Sequence, residues 1–169
     1  MGENARVTTE REVLTYELFG TAVQDLARQV VDSGYEPDLV LSIARGGLGL
    51  GMGLGYALDV KNLSAVNVEF YTGVDERLDV PIMLPPTPAA VDLAGLKILI
   101  ADDVADTGKT LEIVRDFCAD QVAEARMVVI YEKPWTVINP DYVWRRTESW
   151  IDFPWSSTPP LVRRSRPSP

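Results

Sequence analysis

A chain of 169 residues with 46% hydrophobic and 24% charged residues has the composition of one globular domain with a real core. Its net charge of −9 argues against nucleic acid and anionic membranes as partners, since polyanions need Lys and Arg in excess, yet leaves room for one phosphate held by backbone amides. With no histidine and a single cysteine, Cys118, the chain excludes Ser-His-Asp and Cys-His hydrolases, histidine-ligated metals, an internal disulfide and a thiolate zinc cluster.

Residues 1–12 are polar and read as a flexible N-terminus. They show no apolar signal-peptide core, and Arg6 stands where a myristoylation signal wants Ser or Thr. No apolar run reaches membrane-spanning length, so a cytoplasmic location is expected. From Thr15, the apolar positions Leu18, Phe19, Ala22, Val23, Leu26 and Val30 recur at helical spacing, and Ser33-Gly34 is a stop signal. Leu39–Ile43 is a short apolar run of the buried-strand kind, followed by a glycine-rich turn and a helix from Arg45 to Leu58. The glycines from Gly47 to Gly55 fit tight packing of that helix on a sheet. Residues 65–71 alternate as a second strand.

Residues 72–92, with Pro81, Pro85, Pro86 and Pro88, lack periodicity and read as a long loop, functional or disordered. Lys97–Ala101 is a third strand, Thr110–Ala119 a helix in which Cys118 is a buried hydrophobe, and Arg126–Tyr131 a fourth strand; Asp141–Arg146 is a candidate fifth. Strands alternating with helices predict an α/β fold, a doubly wound and mainly parallel sheet flanked by helices. One domain is expected over 13–158, with a disordered tail at 159–169.

The chemistry concentrates in residues 98–110, Ile-Leu-Ile-Ala-Asp-Asp-Val-Ala-Asp-Thr-Gly-Lys-Thr. A buried strand ends in the adjacent acids Asp102 and Asp103, and a turn of Asp106, Thr107, Gly108, Lys109 and Thr110 then opens a helix. Strand carboxyl ends are where open α/β sheets bind ligands, and successive amides at a helix N-terminus cradle a dianionic phosphate. The two acids, acceptors when ionised, suit the hydroxyls of a ribose whose 5′-phosphate lies in the turn. A P-loop fails here, because Asp103 occupies the place of its first glycine. Capping alone explains neither the paired acids nor the buried strand before them.

This segment resembles the signature of the type I phosphoribosyltransferases, which bind 5-phosphoribosyl 1-diphosphate (PRPP), and in particular that of the 6-oxopurine group, the xanthine-guanine and hypoxanthine-guanine enzymes. The likeness extends over about residues 38–156. It implies a small C-terminal hood over the base, and transfer of the phosphoribosyl group to N9 of hypoxanthine, guanine or xanthine, giving a nucleoside monophosphate and pyrophosphate in purine salvage. By the same resemblance Asp106 is the catalytic proton acceptor facing N7, Asp102 and Asp103 stand at the ribose and its associated Mg²⁺, and residues 106–110 hold the 5′-phosphate. Lys133 would contact the 6-oxo group, a fitting partner because lysine only donates. Trp150 would stack on the purine and Ile151 offer backbone to its C2 edge, although packing is a rival role for Trp150 and more so for Trp155. Arg45 and Gly46 would hold the pyrophosphate, with a cis peptide expected at Ala44-Arg45.

Two departures stand out. The resemblance makes 72–92 a mobile active-site loop, where relatives carry a lid, but its proline-rich half is unlike their short lids; and Ser156 sits where relatives often carry an acid, which leaves the preferred base and a second metal site open. Relatives are usually dimers or tetramers, so a homodimer or homotetramer is expected. The alternatives are the same chemistry on adenine or a non-purine base, and a PRPP-sensing regulator without turnover.

Overall fold

The computed structural model describes residues 10–71, 80–84 and 93–162. In chain order these form β1 (Arg11–Val13), α1 (Tyr16–Asp32), β2 (Leu39–Ala44), α2 (Gly47–Ala57), β3 (Leu63–Tyr71) and β4 (Val80–Leu84). Then come β5 (Lys97–Ala105), α3 (Lys109–Ala119), β6 (Glu124–Glu132), β7 (Tyr142–Arg146) and β8 (Trp150–Asp152). Helix α1 starts where Thr15 Oγ1 accepts a hydrogen bond from the Leu18 amide at 3.1 Å, with Glu17 in the first turn complementing the helix dipole.

Six strands make one sheet in the order β4-β3-β2-β5-β6-β7, parallel throughout except for β4. The run Leu39–Ile43 is buried at every position because β2 lies mid-sheet, covered on both faces. Along β5 the uniformly apolar run resolves into two faces. Leu99 and Ala101 join the core under α1 and α2, with Leu26, Val30, Leu50 and Leu54. Ile98 and Ile100 join the core under α3, with Leu111, Val114 and Cys118. Helix α2 comes close enough that a Cβ at Gly51 would land on Ser42, and one at Gly53 on Val23.

From β2 the chain turns to one side to build β3 and β4, then returns to β2's other side as β5. The strand order therefore reverses between β2 and β5, and a crevice opens at their carboxyl ends. This switch point positions the site.

Three parts of the sequence reading are corrected. Arg11 and Glu12 belong to a strand, β1, which pairs in parallel with β8 (Arg11↔Trp150, Val13↔Asp152) in a separate two-stranded sheet beside the main one. The segment 72–92 is not all loop, since Val80–Leu84 is a strand antiparallel to β3 (Asn67↔Leu84); Pro81 is accommodated because β4 is an edge. The remainder of that expected mobile loop, residues 72–79 and 85–92, lies outside the described residues, as do 1–9 and 163–169. Strand β5 also continues past Ala101 to Ala105, because β6 pairs with it as far as Ala105↔Glu132. Asp102 and Asp103 thus sit inside the ladder. Among the described residues no helix is long and apolar enough to cross a membrane.

Leu26 is fully buried between α1 and the sheet. Leu26→Ala is expected to cost about 2–5 kcal/mol in urea unfolding, against a change within about 0.5 kcal/mol for Val31→Thr at an exposed position of the same helix.

Candidate active site

The crevice at the switch point holds a cavity of about 520 Å³ lined by Ala44 and Gly46 from β2 and its turn, Asp102 and Asp103 from β5, and the whole turn from Asp106 to Thr110. The approach of the two elements depends on missing side chains. A Cβ at Gly46 would fall on the Asp103 carboxylate, and one at Gly47 on the Ala101 carbonyl. The peptide Ala44-Arg45 is cis, as expected from the resemblance. Arg45 itself is exposed and does not line the cavity.

Gly108 has φ +82, a conformation that L side chains rarely adopt, and it lets the turn close and start α3 without a side-chain cap. Among the described residues, the Thr107 and Gly108 amides have no protein acceptor. The Lys109 amide has only a long contact, 3.4 Å, to Thr107 Oγ1. The open helix end and these amides face the cavity, an arrangement suited to a phosphate.

Asp102 is buried, and its Oδ1 accepts from the Asp103 amide at 2.9 Å. Burial first, and then the neighbouring Asp103 charge, push its carboxyl well above the ordinary value near 3.8. Burial also raises Asp103, an effect opposed by its neighbours Asp102 and Trp155 and by nearby backbone amides. Among the described residues no Lys or Arg pairs with either acid. Two acids without a counter-cation form a wall that attracts hydroxyl donors and cations.

A second cavity, about 700 Å³, opens beside the first and is lined by Val104, Asp106, Lys133, Trp135, Trp150, Ile151 and Ser156, among others. Val104 and Asp106 line both cavities. Lys133, at the end of β6, is buried and donates from Nζ to the Ser149 carbonyl; burial lowers its pKa, and the charge of Asp106 opposes that shift. Trp150 is 69% exposed on this cavity, whereas Ile151 is buried. Trp155 has the packing role: it stacks on Phe153 at 5.1 Å between ring centroids and meets Phe19 edge-on at 5.5 Å.

Residues 11–160 match the family described as the phosphoribosyl transferase domain. The chain belongs to the phosphoribosyltransferase family. It is 32% identical over 122 residues to a xanthine-guanine phosphoribosyltransferase of Roseobacter denitrificans, a match spanning 69% of this chain and 66% of that one. It is 32% identical over 130 residues to the Gluconobacter oxydans enzyme of the same name, spanning 73% and 74%. The crystal structure of a purine phosphoribosyltransferase from Pyrococcus horikoshii superimposes with a TM-score of 0.77 at 34% identity, covering 91% of this chain and 99% of that one. The type I phosphoribosyltransferase fold predicted from the sequence is the fold found.

Sequence reading missed Trp135, Val104 and the Arg11–Asp152 ion pair at the rim of the second cavity. An aromatic directly after Lys133-Pro134 was a usable signal for Trp135. Nothing in the polar N-terminus pointed Arg11 at a residue 141 positions away.

The raised acids carry a stability consequence. A carboxyl whose pKa is raised on folding binds its proton more tightly in the native state, so the penalty is absent below about pH 4 and grows as pH rises toward the folded value. Asp102→Asn is therefore expected to raise the ligand-free Tm at pH 7 by about 2–4 °C, the scale of about 1 kcal/mol. Calorimetry should find that gain vanishing near pH 4; an equal gain at both pH values contradicts the burial penalty.

Proposed function

We propose that this phosphoribosyltransferase moves the 5-phosphoribosyl group of PRPP to N9 of a 6-oxopurine (hypoxanthine, guanine or xanthine) with release of pyrophosphate, as a purine-salvage enzyme. The observation that carries the reading is the meeting of the two cavities at Val104 and Asp106. One compartment has a phosphate turn and two acids, the other a lysine and exposed indoles, and C1′ and N9 would come together at their junction. The names of the relatives from Roseobacter, Gluconobacter and Pyrococcus support the same reaction.

The 5′-phosphate would sit on the amides of residues 106–110 at the start of α3, and the ribose hydroxyls would donate to Asp102 and Asp103. Gly46 leaves room for the diphosphate beside Asp103. In the second cavity Trp150 supplies a flat apolar face for the heterocycle, and Lys133 donates to a 6-oxo oxygen but offers nothing to a 6-amino group. Asp106, shared by both compartments, takes up the imidazole-edge proton at N7 as N9 attacks C1′, while the oxocarbenium-like ribose forms beside Asp102 and Asp103. Inversion at C1′ follows from attack opposite the departing diphosphate.

Mg²⁺ is part of this proposal. Among the described residues no group of three or more carboxylate, Cys or His side chains could hold a metal unaided. The unpaired Asp102 and Asp103 fit an ion that takes its remaining ligands from a diphosphate and sugar hydroxyls. Bound there, it would supply positive charge to the leaving pyrophosphate. A homodimer or homotetramer belongs to the same reading, and Leu48, Met52 and Tyr56, exposed at four-residue spacing on α2, give it an apolar face to use.

Pyrophosphate release should appear when the protein is mixed with Mg²⁺, PRPP and a 6-oxopurine, and stay at background with adenine. No release with hypoxanthine, guanine or xanthine defeats the proposal. Asp106→Asn should lower kcat by roughly 10²-fold, the scale of general acid–base catalysis, with the KM for PRPP little changed; an unchanged kcat removes Asp106 from the mechanism.

A further inference from the structure

We propose that Trp135 is a positioning residue for the purine edge that carries N7 and O6, holding both groups assigned to that edge. The inference rests on the preceding assignment of Asp106 and Lys133. The Trp135 indole N–H donates to Asp106 Oδ1 at 2.8 Å. The Lys133 ammonium lies 5.6 Å from the centroid of the same ring, within cation–π range. One side chain thus touches the proton acceptor and the 6-oxo donor at once.

The backbone that carries Trp135 is tied to the backbone on either side of Asp106. The Lys133 amide donates to the Ala105 carbonyl at 2.9 Å, and the Val137 amide donates to the Thr107 carbonyl at 2.9 Å. The segment 133–137 therefore straddles Asp106 and returns an indole N–H to its carboxylate. Unconstrained, an Asp on a short turn rotates about two side-chain bonds. With Oδ1 engaged by Trp135, the carboxylate has a fixed orientation, and Oδ2 has no other protein partner among the described residues. Misplacing a reacting group by about 1 Å costs on the order of 10²-fold in rate, so such a constraint bears on turnover. Trp135 is 53% exposed and lines the second cavity with Asp106 and Lys133, so a bound base would cover surface that a core tryptophan would already have buried.

Trp135→Phe keeps the aromatic face and deletes the N–H. With a 6-oxopurine it is expected to lower kcat roughly tenfold, the scale of one hydrogen bond to a charged group, while the KM for the base changes less than about twofold. Trp135→Ala should also raise the base KM. In an Asp106→Ala background, Trp135→Phe should cost nothing further, because the indole acts through that carboxylate. In the ligand-free protein, the ¹⁵N-indole resonance of Trp135 should move upfield on Asp106→Ala, a readout that needs neither turnover nor a Trp135 variant that folds. A wild-type kcat for Trp135→Phe, an equal loss in the Asp106→Ala background, or an unmoved resonance each overturns the role. If Asp106→Asn itself leaves kcat intact, the preceding assignment fails instead. If Asp106→Asn costs about 10²-fold and Trp135→Phe nothing, the role of Trp135 alone fails.

Discussion

At the centre of the sheet, the turn after β2 passes so close to the end of β5 that only glycine fits between them. A side chain at Gly46 would displace the Asp103 carboxylate, and one at Gly47 would displace the β5 backbone. That contact fixes the floor of the crevice, aligns the two acids along it, and directs the chain after β5 into the turn that opens α3. The acids are held there at a cost, since burial without a counter-cation disfavours their charged forms. Native proteins accept such a cost where a ligand offsets it, and a sugar diphosphate with its cation is a ligand of that kind.

The second compartment is attached to the first by the same strand. Strand β5 delivers Asp102 and Asp103 to one cavity, then Val104 and Asp106 to the boundary of both. The neighbouring β6 ends in Lys133, and the connection after it folds back over Asp106 through the Ala105 and Thr107 carbonyls. The two cavities are therefore lined by parts of one hydrogen-bonded unit. The small β1–β8 sheet closes the far side, with the Arg11–Asp152 pair on its rim.

Much of this was legible in the residues, and for a physical reason. The run from Ile98 to Thr110 states its geometry locally: an apolar strand, two acids and a Thr-Gly turn are neighbours in sequence, and they line one cavity. The four-residue periodicity of α1 and the uninterrupted apolar stretch of β2 were equally local. What escaped was set by distance along the chain. Arg11 looks like part of a polar leader until β8, formed near the other end of the described chain, offers its backbone as a partner. The reach of β5 to Ala105 depends on how far β6 runs beside it, which composition does not encode. Trp135 was visible as an aromatic, but its contact with Asp106 needed the fold-back that places its N–H there.

The proposed binding of a sugar phosphate at the β5–α3 turn is most directly measured by amide hydrogen exchange with and without a 6-oxopurine nucleoside monophosphate such as IMP or GMP. Exchange should slow at residues 106–111, where the amides of Thr107 and Gly108 now lack acceptors, and also at residues 150–153 on the base side. Unchanged exchange at 106–111 under saturating nucleotide would contradict the site described.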